Sequence, residues 1–305
     1  MAFLPRPRFL WQTRTRSLEL GQRTLVMGIV NLTPDSFSGD GLSQQGIDEA
    51  LAHAAAQLDA GADILDLGAE STRPNAAAIS PEEEQQRLLP ALEAILRERA
   101  DAVVSIDTYH ASTARAAAAL GAEIINDVSG LSWDEAMPAA VAASGCGLVL
   151  MHTRGRPTEW GSLPPLSCEQ VLPLVVDGLT MQLAIARAAG IAQQQIVLDP
   201  GFGFGKRGAE NFTLLAGLHE LQGFDLPLLI GLSRKGFLGG ANAAERLPAT
   251  IAANVASILN GAHLIRVHDV REARKRRTSP MLFSRKARSH RRKRRARRPA
   301  VSWKR

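Results

Sequence analysis

Eight short apolar runs recur along the chain, and each is followed by a stretch in which apolar residues have helical spacing. We predict strands over residues 24–31, 63–68, 102–107, 123–128, 147–152, 195–200, 227–233 and 263–268. The runs are continuously apolar rather than alternating, which is typical of parallel strands covered on both faces. Eight strand–helix units within about 250 residues predict an α/β fold, a (β/α)8 barrel.

Polar side chains occupy the C-terminal ends of these runs: Asn31, Asp66 with Glu70, Asp107, Asn126, His152, Asp199, Ser233 with Lys235, and Arg266 with His268. A single Asp or Asn after a strand usually caps a helix or turn. In a barrel, however, all C-terminal strand ends meet at one rim, and barrel active sites lie on that rim. The pattern therefore predicts an active site at this end of the barrel.

The segment DPGFGFGK, residues 199–206, opens a GxGxxG pattern that is completed by Gly208. A dinucleotide site would need an acidic residue at the end of a second strand about 20 residues later, and Glu220 falls on a predicted helix instead. A P-loop would need Ser or Thr after Lys206, where the chain has Arg207. We interpret the segment as the sixth strand end and its loop, with glycines that let the backbone approach a flat ligand.

Charge divides the chain into an acidic body and a basic end. Residues 271–305 hold 17 Lys and Arg against one acid, whereas residues 1–270 have a net charge of −10. We predict an N-terminal extension over 1–22, a barrel over 23–273 and a polybasic, disordered tail over 274–305. No apolar run approaches the ~18 residues of a membrane span, and the N-terminus lacks the apolar segment of a secretory signal, so we expect a cytoplasmic protein.

Eight segments together resemble the dihydropteroate synthase family: MGIVNLTPDSFSGDG (27–41), DLGAESTRPNA (66–76), SIDTYH (105–110), INDVSG (125–130), LMHTRGRP (150–157), LDPGFGFGK (198–206), GLSRKGFLG (231–239) and IRVHDV (265–270). They follow the family's order. The resemblance implies a TIM barrel that condenses 6-hydroxymethyl-7,8-dihydropterin diphosphate with 4-aminobenzoate, releasing diphosphate in folate biosynthesis. It also implies a cytoplasmic transferase that uses Mg²⁺, is a target of sulfonamides and forms homodimers.

Site roles follow from the resemblance and from the chemistry of the substrates. A pterin is a flat ring system rich in amide, amino and ring nitrogen groups, so its pocket needs carboxylates and carboxamides as fixed partners. The resemblance assigns pterin binding to Asp107, Asn126, Asp199, Gly231 and Lys235. It assigns 4-aminobenzoate to Phe204, Ser233 and two loops that contain Thr33, Phe37, Arg73 and Pro74.

Diphosphate is a leaving group with several negative charges, and cations and donors placed beside it favour bond breaking. The resemblance assigns this part to Thr72, Arg73, Arg266 and His268, with Asn31 as the Mg²⁺ contact. We expect Arg73, Lys235, Arg266 and His268 to be the catalytic side chains. The reaction needs no covalent enzyme intermediate, so we assign no nucleophile.

Two departures from the family pattern stand out. Thr153 replaces the Met that commonly follows the histidine of the fifth strand, which removes an apolar contact beside the pterin. After residue 274 the basic tail stands where the family has an apolar eighth helix, and we expect apolar surface on the first and last strands to be exposed. A shifted reading frame is our favoured interpretation of the tail, and a genuine extension that binds nucleic acid nonspecifically is the alternative. Either origin puts dimerisation in doubt.

Two other function classes remain open at this point. A related pterin-binding barrel transfers a methyl group from methyltetrahydrofolate to a corrinoid, but it would not need the SRK, STR and RVH segments together. A non-catalytic, nucleic-acid-binding protein dominated by its tail would leave the polar rim unexplained. The synthase reaction accounts for all of these segments.

Overall fold

The computed structural model describes residues 6–32, 44–70 and 78–274. Its strands are β1 (Phe9–Gln12), β2 (Ser17–Leu20), β3 (Leu25–Asn31), β4 (Ile64–Gly68), β5 (Val104–Asp107), β6 (Ile124–Asp127), β7 (Gly147–Met151), β8 (Ile196–Asp199), β9 (Leu229–Ile230) and β10 (Leu264–Val267). Its α-helices are α1 (Gln44–Asp59), α2 (Pro81–Glu98), α3 (Ala111–Leu120), α4 (Met137–Ser144), α5 (Cys168–Ala188), α6 (Gly208–Ala216) and α7 (Leu247–Leu259). Short 3₁₀ helices span Gln193–Gln195, Leu218–Phe224 and Gly236–Leu238.

Strands β3 to β10 form one parallel sheet in the order β8-β7-β6-β5-β4-β3-β10-β9. A parallel bridge between Leu198 and Leu228 joins β8 to the start of β9, so the sheet closes on itself. The predicted barrel is therefore confirmed, and each of the eight predicted strands overlaps an observed one. The largest difference is at β9, where only two residues have strand pairing.

The inside of the barrel has an apolar floor below a polar layer. Side chains in a strand alternate between the two faces, so residues i and i+2 point the same way. One buried cluster collects the lower residues of the strands with two hairpin residues: Trp11, Leu20, Leu25, Met27, Ile64, Val103, Ile124, Val149, Val197, Leu229 and Leu264. Four of these residues, Ile64, Ile124, Val197 and Leu264, are each followed two positions later by a polar residue. These polar residues are Asp66, Asn126, Asp199 and Arg266. Alternation therefore directs these four polar side chains into the barrel, one step nearer its C-terminal end.

The N-terminal segment forms an antiparallel hairpin, β1 with β2, which covers the lower end of the barrel. Trp11 and Leu20 are buried among the floor residues, and the Trp11 indole Nε1–H donates to the carbonyl of Gln195 at 2.8 Å. The Thr13 hydroxyl donates to Glu123 at 2.6 Å. Residues predicted to be an extension thus pack on the barrel as its lower cover.

The helices cover the outer face of the sheet. A large cluster contains outward residues of the strands together with the inner faces of α1 to α6. Helix α5 is, by length and composition, apolar enough to cross a membrane, and it is the one such helix within the described ranges. Its Val171, Val175, Leu179 and Leu183 are buried in the cluster, so one face of this helix packs in the core.

The seam between the first and last barrel strands is buried, contrary to the exposure expected from the sequence. Val26 and Ile265 are at most 1% exposed and pack with Ile258 of α7 and with Val270 and Ala273. Residues 270–274 are helical, and the guanidinium of Arg274 donates to the carbonyl of Gly61 at 2.7 Å. The start of a helix therefore covers this seam, and residues 275–305 of the predicted tail lie outside the described residues.

Candidate active site

A buried carboxylate, Asp66 of β4, is the centre of a polar network at the barrel mouth. The Ser105 hydroxyl donates to its Oδ1 at 2.6 Å, and the Asn126 carboxamide donates to its Oδ2 at 3.0 Å. The guanidinium Nε of Arg266 also donates to Oδ2, at 2.5 Å. A second guanidinium nitrogen, Nη2, donates to Asp107 Oδ2 at 2.6 Å. Four strands thus fix one arginine between two carboxylates.

Burial and neighbouring charges strongly shift the pKa values of the ionisable groups in this network. Burial raises the pKa of Asp107 to about 7, against the opposing effect of Arg266, and the nearby Asp66 carboxylate adds to the rise. Burial disfavours the charged form of Arg266, but Asp66 and Asp107 together raise its pKa above the ordinary value. Arg266 therefore stays charged, and the two carboxylates share one positive charge. Buried charges are expected to be paired in this way.

A second group on the other side of the mouth consists of Asp199, Lys235 and Phe204. The ammonium of Lys235 lies 4.3 Å from the centroid of the Phe204 ring, a cation–π contact. Burial lowers the pKa of Lys235 to about 8, although Asp199 opposes this shift. Burial likewise raises the pKa of Asp199 to about 6, and its Oδ1 accepts from Gly201 N–H at 2.8 Å. A Cβ on Gly231 would lie 4.0 Å from Asp199 Oδ2, so glycine keeps space beside this carboxylate.

The glycine-rich loop after β8 is held by a buried lysine. The ammonium of Lys206 donates to the carbonyl of Gly201 at 2.8 Å and to that of Phe204 at 3.3 Å. Gly201 has φ +68°, and a Cβ there would lie 1.9 Å from the carbonyl oxygen of His152. The missing side chain of Gly201 makes room for the loop after β7, and the approach of a flat ligand to the glycines of this loop stays a prediction.

Ser233 and His268 are in direct contact beside the last strand. The Ser233 hydroxyl oxygen lies 3.0 Å from His268 Nδ1 and also accepts from the His268 backbone N–H at 3.2 Å. Burial lowers the pKa of His268 to about 3, and the positive charges of Arg234 and Arg266 lower it further. His268 is therefore neutral at neutral pH and can act as a donor but not as a cation. Asn31, the last residue of β3, is half-buried at the same rim.

Comparisons with known proteins agree with this geometry. A family model described as "Pterin binding enzyme" matches residues 27–268. Dihydropteroate synthase of Escherichia coli K12 is 45% identical over 250 residues, covering 81% of this chain and 87% of that protein. The corresponding enzyme of Bacillus subtilis is 39% identical over 263 residues, covering 85% and 88%.

The chain belongs to the dihydropteroate synthase family.

Solved structures of the family superimpose on this chain. Xanthomonas albilineans dihydropteroate synthase with 4-aminobenzoic acid matches with a TM-score of 0.82 and 37% identity, covering 92% of this chain and 98% of that one. The Yersinia pestis enzyme with a sulfonamide drug complex matches with a TM-score of 0.81 and 38% identity, covering 92% and 100%. The fold of this chain therefore matches nearly the whole length of those two enzymes.

Within this family member, the structure brings together most of the residues that the sequence predicts. Asp107, Asn126, Asp199, Phe204, Gly231, Ser233, Lys235, Arg266 and His268 all lie on β5, β6, β8, β9 or β10 or on the loops after them. Thr33, Phe37, Thr72, Arg73 and Pro74 lie outside the described residues, so their roles stay predictions. Thr153, which follows β7 and departs from the family pattern, donates from its hydroxyl to the carbonyl of Gly155 at 2.9 Å.

Sequence reasoning gives no role to several polar residues that lie at this candidate site. Asp66 stood among the strand ends without a role, although it is fully buried and orients Arg266. Ser105 and Lys206 were given none either. A usable signal was present for Asp66, because it follows Ile64 by two positions and so shares the inward face of β4. Ser105 follows the floor residue Val103 by two positions and has the same signal, whereas Lys206 has none, since a Lys in a loop is common.

Proposed function

We propose that this chain forms 7,8-dihydropteroate and diphosphate from 6-hydroxymethyl-7,8-dihydropterin diphosphate and 4-aminobenzoate. Family membership supports this reaction. Solved relatives include the Xanthomonas albilineans synthase in complex with 7,8-dihydropteroate and the Clostridium difficile enzyme in the presence of pteroic acid. The observation that carries the proposal is the network of Asp66, Asp107, Asn126 and Arg266, which supplies charged and amide partners inside a closed barrel.

The pterin would lie on this polar layer, above the apolar floor. Asp199 can accept hydrogen bonds from an amide N–H and an amino group through a carboxylate that faces the open space beside Gly231. Lys235 can donate to a ring or carbonyl acceptor. Asp107 and Asn126 can form hydrogen bonds with the opposite edge of the pterin ring. Arg266 keeps Asp107 oriented and leaves positive charge near the methylene carbon that reacts.

The reaction breaks the bond between the methylene carbon and the diphosphate oxygen. The 4-aminobenzoate nitrogen forms a bond to that carbon and loses a proton, which leaves with the diphosphate or water. Negative charge grows on the departing oxygen, so donors and cations beside it lower the barrier. Among the described residues, Arg266 and the neutral N–H of His268 are suited to stabilise this charge. Arg73, which lies outside the described residues, is predicted to contribute as well.

Mg²⁺ would be held at this end of the barrel by Asn31. The Asn31 carboxamide supplies an oxygen ligand, the type that Mg²⁺ takes, and substrate phosphates and water would complete its coordination. The bound ion would neutralise charge on the diphosphate. The protein's own part is to present Asn31 at the last position of β3, beside Gly68 of β4.

Several finer features of the proposal come from the resemblance and the charge distribution. We propose a cytoplasmic homodimer with no membrane partner, and a sulfonamide-binding site like that of the Yersinia pestis relative. The excess of 16 positive charges over residues 271–305 would bind nucleic acid only nonspecifically, through phosphate contacts that salt weakens.

Product formation tests the proposed function. The purified chain with Mg²⁺ should release diphosphate and 7,8-dihydropteroate when both substrates are present. Arg266→Ala should lower kcat/KM for the pterin diphosphate by about 100-fold or more, in the range measured for lost transition-state donors. His268→Ala should lower it by about tenfold. Arg187→Ala, on the exposed face of α5, is the matched control and should leave kcat/KM unchanged. Full activity in Arg266→Ala would refute the assigned role.

A further inference from the structure

Three side chains that the proposed reaction does not use form a cluster behind the rim. Glu70 follows β4, Glu84 lies in the first turn of α2, and His110 immediately precedes α3. One ligand atom from each lies within 4.8 Å of the others. The Glu84 side chain is 1% exposed and that of His110 is 13% exposed. Two carboxylates and an imidazole thus converge from three separate elements.

Each carboxylate in the cluster has one satisfied and one unsatisfied oxygen. Glu84 Oε2 accepts from the Thr108 hydroxyl at 2.9 Å and lies 3.0 Å from His110 Nδ1. Glu70 Oε1 accepts from the Tyr109 hydroxyl at 2.7 Å. Among the described residues, Glu84 Oε1 and Glu70 Oε2 are both buried without a partner at hydrogen-bond geometry, and the Ile79 backbone N–H lies close enough to Glu70 to favour its charged form. A buried carboxylate oxygen without a partner is unfavourable, so two of them in one cluster indicate a missing positive ligand.

A proton on His110 does not meet this need. It can be donated to Glu84 Oε2, which already has the Thr108 hydroxyl, and it leaves Glu84 Oε1 and Glu70 Oε2 unsatisfied. A cation between the three side chains would contact both carboxylates at once.

The spacing is close to that of a metal site. A tetrahedral zinc ion, with bonds of about 2.0 to 2.1 Å, separates its ligand atoms by about 3.3 Å. One ligand atom of each residue lies within 4.8 Å of the others, so each pair would have to close by at most about 1.5 Å. Thr108 and Tyr109 hydrogen-bond the carboxylates from outside, as the outer partners of metal ligands do.

We propose that Glu70, Glu84 and His110 bind one divalent transition-metal cation of the Zn²⁺ type, with water completing its coordination. One imidazole and two carboxylates suit Zn²⁺ better than Mg²⁺, which prefers oxygen ligands alone. The site shares no residue with the proposed Mg²⁺ contact at Asn31. It would connect the loops after β4 and β5 to α2, and so support the loop that follows Asp107.

Calorimetric titration of the full chain tests this site without either substrate, so its outcome is independent of the proposed reaction. After treatment with a chelator, the wild-type chain should bind one equivalent of Zn²⁺ at this site, and Mg²⁺ should not compete at millimolar concentration. His110→Gln should weaken Zn²⁺ binding by at least tenfold. His219→Gln, which replaces an exposed histidine elsewhere, should bind like the wild type. Equal Zn²⁺ binding in His110→Gln and wild type, or no binding in either, would overturn the proposal.

A second variant and a spectrum guard against loss of folding. Circular dichroism first establishes that His110→Gln is folded, and Glu70→Gln, at a half-buried position, replaces it if it is not. Co²⁺ added to the wild-type chain should give the strong visible absorption of a four-coordinate ion bound to nitrogen and oxygen. A weak spectrum like that of Co²⁺ in water would contradict the site in the wild-type protein itself.

Discussion

At the scale of residues, one buried carboxylate sets the direction in which the key arginine points. Asp66 binds the guanidinium of Arg266 through Nε, and this leaves Nη2 to reach Asp107. Asp66 itself is fixed by Ser105 and Asn126. A planar guanidinium donates its hydrogen bonds in a rigid fork. Two carboxylates, one bound at Nε and the other at Nη2, therefore define its orientation almost completely. Lysine in place of Arg266 could not hold both contacts.

The perturbed groups at the mouth predict a bell-shaped pH dependence. Asp199 must be ionised to accept hydrogen bonds from the pterin, and burial raises its pKa to about 6. Lys235 must be protonated to donate, and burial lowers its pKa to about 8. We therefore expect kcat/KM for the pterin diphosphate to fall below about pH 6 and above about pH 8. The profile of kcat/KM reports groups of the free enzyme, so initial rates at low substrate across pH 5 to 9.5 measure it.

Two substitutions identify the groups behind that profile. The residual activity of Asp199→Asn should lose the acid limb, since a carboxamide does not titrate. Lys235→Arg should shift the alkaline limb upward, since a guanidinium keeps its proton. If the acid limb remains unchanged in Asp199→Asn, another group such as Asp107, whose pKa is raised to about 7, controls it instead.

At the scale of elements, the loop after β8 depends on a backbone conformation that only glycine adopts readily. We expect Gly201→Ala to lower the free energy of unfolding by about 2 kcal/mol or more, because φ is +68° and the new Cβ would lie 1.9 Å from the His152 carbonyl oxygen. The same shift should move Phe204 and lower kcat/KM. Thermal unfolding with Gly223→Ala as control, where no atom lies within 4 Å, measures the difference. Equal midpoints in the two variants would contradict this packing.

The eight barrel strands could be predicted from the sequence because each is a continuous apolar run that ends in a polar residue. The hairpin could not, because β1 and β2 have four residues each and only Trp11 and Leu20 of them are buried hydrophobics. Four residues are too few to show a period of two. The covered seam near Val26 was missed for a different reason, since the helical start at Val270 and Ala273 has only two apolar positions before the basic run.

Much of the candidate site could be predicted from the C-terminal strand ends, but its pairing could not. Asp107, Asn126, Asp199 and Arg266 were identified as polar residues at one rim, which is a property of position along the chain. Which carboxylate binds Arg266 depends on distances across the barrel between β4, β5 and β10. Those distances follow from the register of the strands around the whole barrel, which no single segment contains.

At the scale of the whole molecule, the barrel has a cover at one end and a site at the other. Trp11 is 1% exposed and fills the lower end, whereas its neighbour Leu10 is 52% exposed. We expect Trp11→Ala to lower the free energy of unfolding by about 3 to 5 kcal/mol, the range for large buried aromatic residues. Leu10→Ala should change it by less than about 1 kcal/mol. Denaturant unfolding of both variants gives the comparison.

Because the hairpin cover and the candidate site lie at opposite ends of the barrel, we also predict how Trp11→Ala affects substrate binding. Because Trp11 packs with the floor residues and not with the polar layer, folded Trp11→Ala should keep the KM of the wild type for both substrates. A large rise in KM at a temperature where the variant is folded would show that the floor and the site are not independent.

Binding of the pterin alone tests most directly that the polar layer of this barrel is the pterin site. Calorimetry with 6-hydroxymethyl-7,8-dihydropterin should give one bound pterin per chain. Asp199→Asn should weaken binding by about 10- to 100-fold, since a hydrogen bond to a charged group contributes about 1.5 to 3 kcal/mol. Glu220→Gln, at an exposed position away from the mouth, is the control and should match the wild type. Unchanged binding in Asp199→Asn, or no pterin binding by the folded wild-type chain, would contradict the site described here.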